Sequence, residues 1–73
     1  MPMPSVAQQT FDHVATMRRS YAMFQAELAE FAHSSQLGYI EATNTARQRA
    51  HDCLDAYLDA QHAANELNRG NAR

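Results

Sequence analysis

The sequence has no lysine, a single cysteine (Cys53), two prolines (Pro2 and Pro4) and two glycines (Gly38 and Gly70). Each shortage excludes something. One cysteine rules out an intramolecular disulfide framework and fits a reducing compartment, which makes the cytoplasm the default location. No apolar run approaches the ~20 residues needed to cross a bilayer. Met1-Pro2-Met3-Pro4 has neither the basic nor the apolar segment of a signal peptide. All six basic residues are arginines against eight acids, for a net charge of −2, so general attraction to nucleic acid is not favoured. There is no glycine-rich phosphate loop, nucleophilic triad or strand-borne motif, so neither enzymatic activity nor a cofactor is expected.

What is present is helical periodicity. From Ala7 to Phe31, Ala7, Val14, Tyr21 and Leu28 recur at one heptad position and Thr10, Met17, Phe24 and Phe31 at another, forming one apolar stripe. Ser5-Val6-Ala7-Gln8 matches a capping box, with the Ser5 hydroxyl accepting from the Gln8 amide and the Gln8 side chain returning to Ser5. With no glycine or proline to interrupt it, a first helix is predicted over about residues 5–33, after a disordered leader at residues 1–4.

The segment His33-Ser34-Ser35-Gln36-Leu37-Gly38 holds the one plausible break, because paired serines compete for the backbone and Gly38 tolerates a left-handed conformation. Continuing the first stripe past it would place Arg49, Asp52 and Asp59 on the seam. The observed second seam is Tyr39, Thr43, Ala46, Ala50, Cys53, Tyr57, Ala60, Ala64 and Leu67, one residue out of phase, a rotation of ~100°. A turn at 34–38 and a second helix over about 39–69 follow, stopped by Gly70 and leaving residues 70–73 frayed.

Folding the chain back about residue 36 sets Arg18 and Arg19 beside Asp52 and Asp55, and Glu27 and Glu30 beside Arg47 and Arg49. Opposite signs meet in both places. Bulky Tyr21, Phe24 and Phe31 then face an alanine-rich seam, which permits close helix approach. The predicted fold is all-α: an antiparallel two-helix hairpin that dimerises into a four-helix bundle.

The residues with chemical potential have simpler structural readings. His51, Asp55, Asp59, His62 and Glu66 run along one outer face of the second helix. His62 and Glu66 have a spacing that can share an ion, but local His–acid pairing in water accounts for the pattern and no metal is assigned. Glu30-Phe31-Ala32-His33 has the Glu-x-x-His spacing of di-iron bundles, once, where such sites need two copies and two further glutamates. Cys53 lies between Ala50 and Tyr57 on the apolar seam, the setting of a structural thiol.

The functional expectation is a non-enzymatic interaction module, an adaptor, co-chaperone or regulatory subunit, whose partners are a second copy of itself and another helical protein. Its interface would comprise Phe11, Val14, Met17, Tyr21, Phe24, Leu28, Phe31, Ala50, Leu54, Tyr57 and Leu58. The alternative is a nucleic-acid-binding hairpin dimer presenting Arg18, Arg19, Arg47 and Arg49 to a phosphate backbone.

Overall fold

The computed structural model describes residues 3–71. It is all-helical: α1 spans Val6–Leu37, α2 spans Ile40–Asn71, and the two pack along their length as a hairpin of 53 × 24 × 14 Å. The expected disorder at Met1 and Pro2 and fraying at Ala72 and Arg73 lie outside the described residues.

At the start of α1, Ser5 sits in extended backbone (φ −64°, ψ 161°) and its hydroxyl accepts from the Gln8 amide at 3.1 Å. The return half of the capping box does not form. The Gln8 side chain donates forward to Asp12 Oδ1 at 2.9 Å instead, and Gln9 Nε2 donates back to the Pro4 carbonyl at 2.9 Å. The helix start therefore rests on the serine hydroxyl alone for side-chain capping of its amides.

The reversal is tighter than the sequence suggested. Ser34 and Ser35 stay helical, and α1 ends four residues later than expected, at Leu37. Gly38 is left-handed (φ 75°). Its amide donates to the Ser35 carbonyl at 3.2 Å, and the Tyr39 amide donates to the Ser34 carbonyl at 3.0 Å. This is a Schellman termination, in which the serines supply the final carbonyls and only the glycine leaves the helix. α2 then starts at once, with the Tyr39 carbonyl accepting from both the amide (2.9 Å) and the hydroxyl (2.6 Å) of Thr43. Glu41 in its first turn and Arg69 in its last complement the helix dipole. Gly70, expected to stop α2, lies inside it.

The two glycines give a clean test, since a methyl group at either would meet nothing within 4 Å. Gly38→Ala forces an L-residue into the left-handed region and should lower stability by ~1–2 kcal/mol. Gly70→Ala, at a helical position, should be neutral or raise it by up to ~1 kcal/mol. Chemical denaturation of the two variants checks the pair. Equal effects would show that the backbone at Gly38 is not what closes the turn.

In a structure of two helices, burial marks the seam between them. On α2 the seam is Thr43, Ala46, Ala50, Cys53, Tyr57, Ala60, Ala64 and Leu67, each buried or half-buried, in agreement with the sequence pattern except that Tyr39 is exposed in the turn. On α1 the pattern is rotated. Thr10, Met17, Phe24 and Phe31 do line the seam, but the other position is filled by His13, Ser20, Glu27 and Ser34, while Ala7, Tyr21 and Leu28 are exposed. Ser34 is the most enclosed residue, at 1% exposure, and its hydroxyl lies 3.3 Å from Glu30 Oε1.

The physical reason is size. Small residues at Ser20 and Ser34, with buried Ala46, Ala50, Ala60 and Ala64 on α2, allow the helices to approach closely. A tyrosine or leucine in their place would hold the helices apart. Among the described residues one buried side-chain atom, the Thr10 hydroxyl, has no hydrogen-bond partner.

The later turn also shifts the register. Leu37 and Ile40 flank it, so residue i of α1 lies level with roughly residue 77 − i of α2. The tilted Tyr21–Tyr57 ring contact, with centroids 5.9 Å apart, fits this register. The expected cross-helix ion pairs are not made, even though this register brings Glu30 level with Arg47: Arg47 lines a groove between the helices, while the Glu30 carboxylate accepts from Ser34 within α1. Arg19 Nη2 donates to Thr16 Oγ1 at 3.3 Å and Asp52 accepts from Gln48 at 3.0 Å, both within one helix. Among the described residues the one ion pair is Arg69–Glu66, at 3.6 Å within α2 and exposed, worth less than ~1 kcal/mol.

Candidate interaction face

Five large apolar residues that do not face the other helix, Phe11, Tyr21, Leu28, Leu54 and Leu58, collect on one side of the hairpin, while Met23 stands off it and Leu37, Tyr39 and Ile40 are exposed about the turn. Two shallow grooves run between α1 and α2 on that side. The one toward the open end is lined by Val14, Met17, Arg18, Tyr21 and Tyr57, and the one toward the turn by Phe24, Leu28, Phe31, Arg47, Ala50, His51 and Leu54. Val14, Tyr21 and Leu28 share a heptad position, so both grooves open on the same side of α1. Phe11 shares its position with Arg18, and Leu58 with His51, which places both at the outer edges of this face.

All eleven residues expected to form an interface therefore lie on one face. Phe11 (67% exposed) and Leu58 sit at its margins, Tyr21 (49%), Leu28 and Leu54 stand out from it, Val14, Met17, Phe24, Phe31 and Tyr57 are half-buried in its floor, and Ala50 is buried. Tyr21 also stacks at a tilt on Phe24, 6.4 Å between centroids, which ties the centre of the face together. Sequence periodicity found this stripe but turned all of it toward the seam between the two helices, because a heptad of large residues does not say which neighbour it faces.

The electrostatics of the face are one-sided. Arg18, Arg47 and His51 lie on it, and none of the eight acidic residues lines either groove. Arg19 is one residue on from Arg18, a rotation of ~100°, and Arg49 is two on from Arg47, ~200°. The four arginines considered for nucleic-acid contact are thus divided between opposite sides of the hairpin rather than gathered into one basic patch.

Four seam residues were not legible as such in the sequence: His13 and Glu27, half-buried where α1 meets α2, and the buried Ser20 and Ser34. Their only signal was their mutual spacing of seven residues, which a search for apolar residues passes over. The polar stripe of α2 is exposed throughout, from His51 to Glu66. Among the described residues no three His, Cys, Asp or Glu side chains come together closely enough to hold one ion. Cys53 is a free, half-buried thiol on the seam. No described helix is long and apolar enough to cross a membrane.

Compared with known proteins, the chain matches no family model, and no curated protein or solved structure shows significant similarity to it.

Proposed function

We propose that this protein is a small, non-enzymatic, cytoplasmic interaction module: a helical hairpin whose apolar face is covered by a second helical layer. The first occupant of that face is a second copy, which completes a four-helix bundle. The assembled bundle then serves as an adaptor, co-chaperone or regulatory subunit toward another helical protein.

One observation carries this reading. Among the described residues the buried ones are four alanines and two serines, while Tyr21, Leu28, Leu54 and Leu58 stand exposed along one side. Burying an alanine removes little apolar surface, and most of the gain in a core comes from leucine-sized and aromatic side chains at ~1.5–3 kcal/mol each. A hairpin of this kind keeps most of that gain for the layer that covers it. Contiguous exposed apolar patches rimmed by polar residues mark interaction sites.

If folding and pairing are coupled, the thermal midpoint depends on concentration. Raising the chain from about 1 to about 100 μM should raise the midpoint of the helical circular-dichroism transition by roughly 5–10 °C, the equivalent of ~2.7 kcal/mol for a paired unit of this size. A midpoint independent of concentration over that range would contradict self-association.

A further inference from the structure

Two hairpins stacked face to face have two possible two-fold axes, one across the helices and one along them, and the face itself distinguishes between them. We infer that the second copy docks about the axis that crosses the helices at the level of Tyr21, so that α1 lies antiparallel on α1 of the partner and the two turns point to opposite ends. This rests on the self-association proposed above.

The argument starts from where the large residues stand. On α1, Val14, Tyr21 and Leu28 are spaced by seven residues and centred on Tyr21, which is also the midpoint of the helix Val6–Leu37. At the register of the hairpin, the level of Tyr21 on α2 falls near residue 56, midway between Leu54 and Leu58. Apart from Arg18, which borders the groove beside Tyr21, the polar residues of the face lie away from that level. Arg47 and His51 are toward the turn, and Gln61 and Asn65 are toward the open end.

An axis across the helices at Tyr21 maps this pattern onto itself. Tyr21 meets the partner's Tyr21, Val14 meets the partner's Leu28, and Leu54 meets the partner's Leu58. Arg47 then lies over the partner's Asn65, and His51 over the partner's Gln61. Apolar residues cover apolar ones and polar residues cover polar ones, as a self-complementary interface requires. The two Arg47 side chains are some 18 residues apart along the stack, ~27 Å, beyond the screening length at physiological salt. Arg18 lies at the rim, where its guanidinium stays in water.

An axis along the helices does the opposite. It lays α1 over the partner's α2 at the same level, which sets Leu28 against the partner's Arg47 and His51 and Val14 against the partner's Gln61 and Asn65. That would bury a guanidinium and amides on aliphatic side chains, and the face carries no carboxylate to pair with them.

The distance between the two turns reads the difference directly. A nitroxide at Gln36→Cys, in a Cys53→Ala background checked for retained helical circular dichroism, should give an interchain dipolar distance of ~45 Å, twice the ~22 Å of helix between residue 36 and residue 21. A distance below ~25 Å would place the turns side by side and overturn the crossing axis while leaving self-association intact. A monomer by sedimentation would overturn both.

The unmodified chain gives an independent reading. In a mixture of 13C-labelled and unlabelled protein, isotope-filtered spectra should show contacts from the Val14 methyls to the partner's Leu28. Intermolecular contacts from Val14 to Gln61 or Asn65 in their place would establish the other axis.

Discussion

Phe24→Asp is expected to weaken pairing of the hairpins by at least 1,000-fold and to lower the thermal midpoint at the same time. Phe24 lies on the α1 seam, lines the groove toward the turn and stacks on Tyr21. It therefore contributes both to the hairpin and to the face that a second layer would cover. A two-fold pair of hairpins would take up two carboxylates in an otherwise apolar floor, with Arg47 and His51 toward the turn end of the groove, and would lose two aromatic rings from the interface. Burying an unpaired carboxylate costs several kcal/mol, and a loss of ~4 kcal/mol is already a factor of 1,000 in affinity. The control is one residue away. Met23, 59% exposed, is rotated ~100° from Phe24 and lines neither groove. Met23→Asp should stay within ~0.5 kcal/mol of the parent in stability, as surface substitutions do, with its association unchanged. Equal effects of the two substitutions would mean that the apolar face has no special role.

Ala46→Leu is the second large effect, and it acts on the hairpin itself. Ala46 is 2% exposed, on the α2 seam close to the turn end. Three added carbons have no place to go between two helices held close by serine and alanine. Such overpacking costs ~1–3 kcal/mol through strained rotamers and separated backbones. In a chain of 73 residues that corresponds to a drop of roughly 5–20 °C in the thermal midpoint. Ala22→Leu, on an exposed part of α1, should change little. If Ala46→Leu were instead neutral, the helices would not be in the close contact that the small residues allow.

These two substitutions correspond to two different kinds of information in the sequence. The seam of α2 was legible because its small residues recur at three-four spacing with no competing pattern. The α1 stripe was legible as a stripe, but its neighbour was not. Tyr21 and Leu28 dominate any hydrophobic pattern, whereas the positions that approach α2 most closely are Ser20 and Ser34, which are selected for size and read as polar.

The turn shows the same limit at the level of hydrogen bonds. Ser34 and Ser35 suggested an early helix end, yet their carbonyls are the acceptors that let Gly38 and Tyr39 close the chain. Extending α1 to Leu37 then moved the register, and none of the expected cross-helix charge pairs is made, not even Glu30 with Arg47, which the new register brings level. Opposite charges on two helices can be matched at several registers, so their agreement at one of them carried little weight. The grouping of Phe11, Tyr21, Leu28, Leu54 and Leu58 on one side is independent of these errors, because it depends on heptad equivalence within each helix, which a shift of register leaves untouched.

The central claim is that the exposed side of the hairpin is one half of a core. Sedimentation velocity of the wild-type chain at micromolar concentration tests it most directly, because the monomer mass of 8.2 kDa makes a doubling easy to resolve. The account predicts a species of twice that mass which dissociates on dilution together with loss of helix. A stably folded species at the monomer mass across the micromolar range would contradict it.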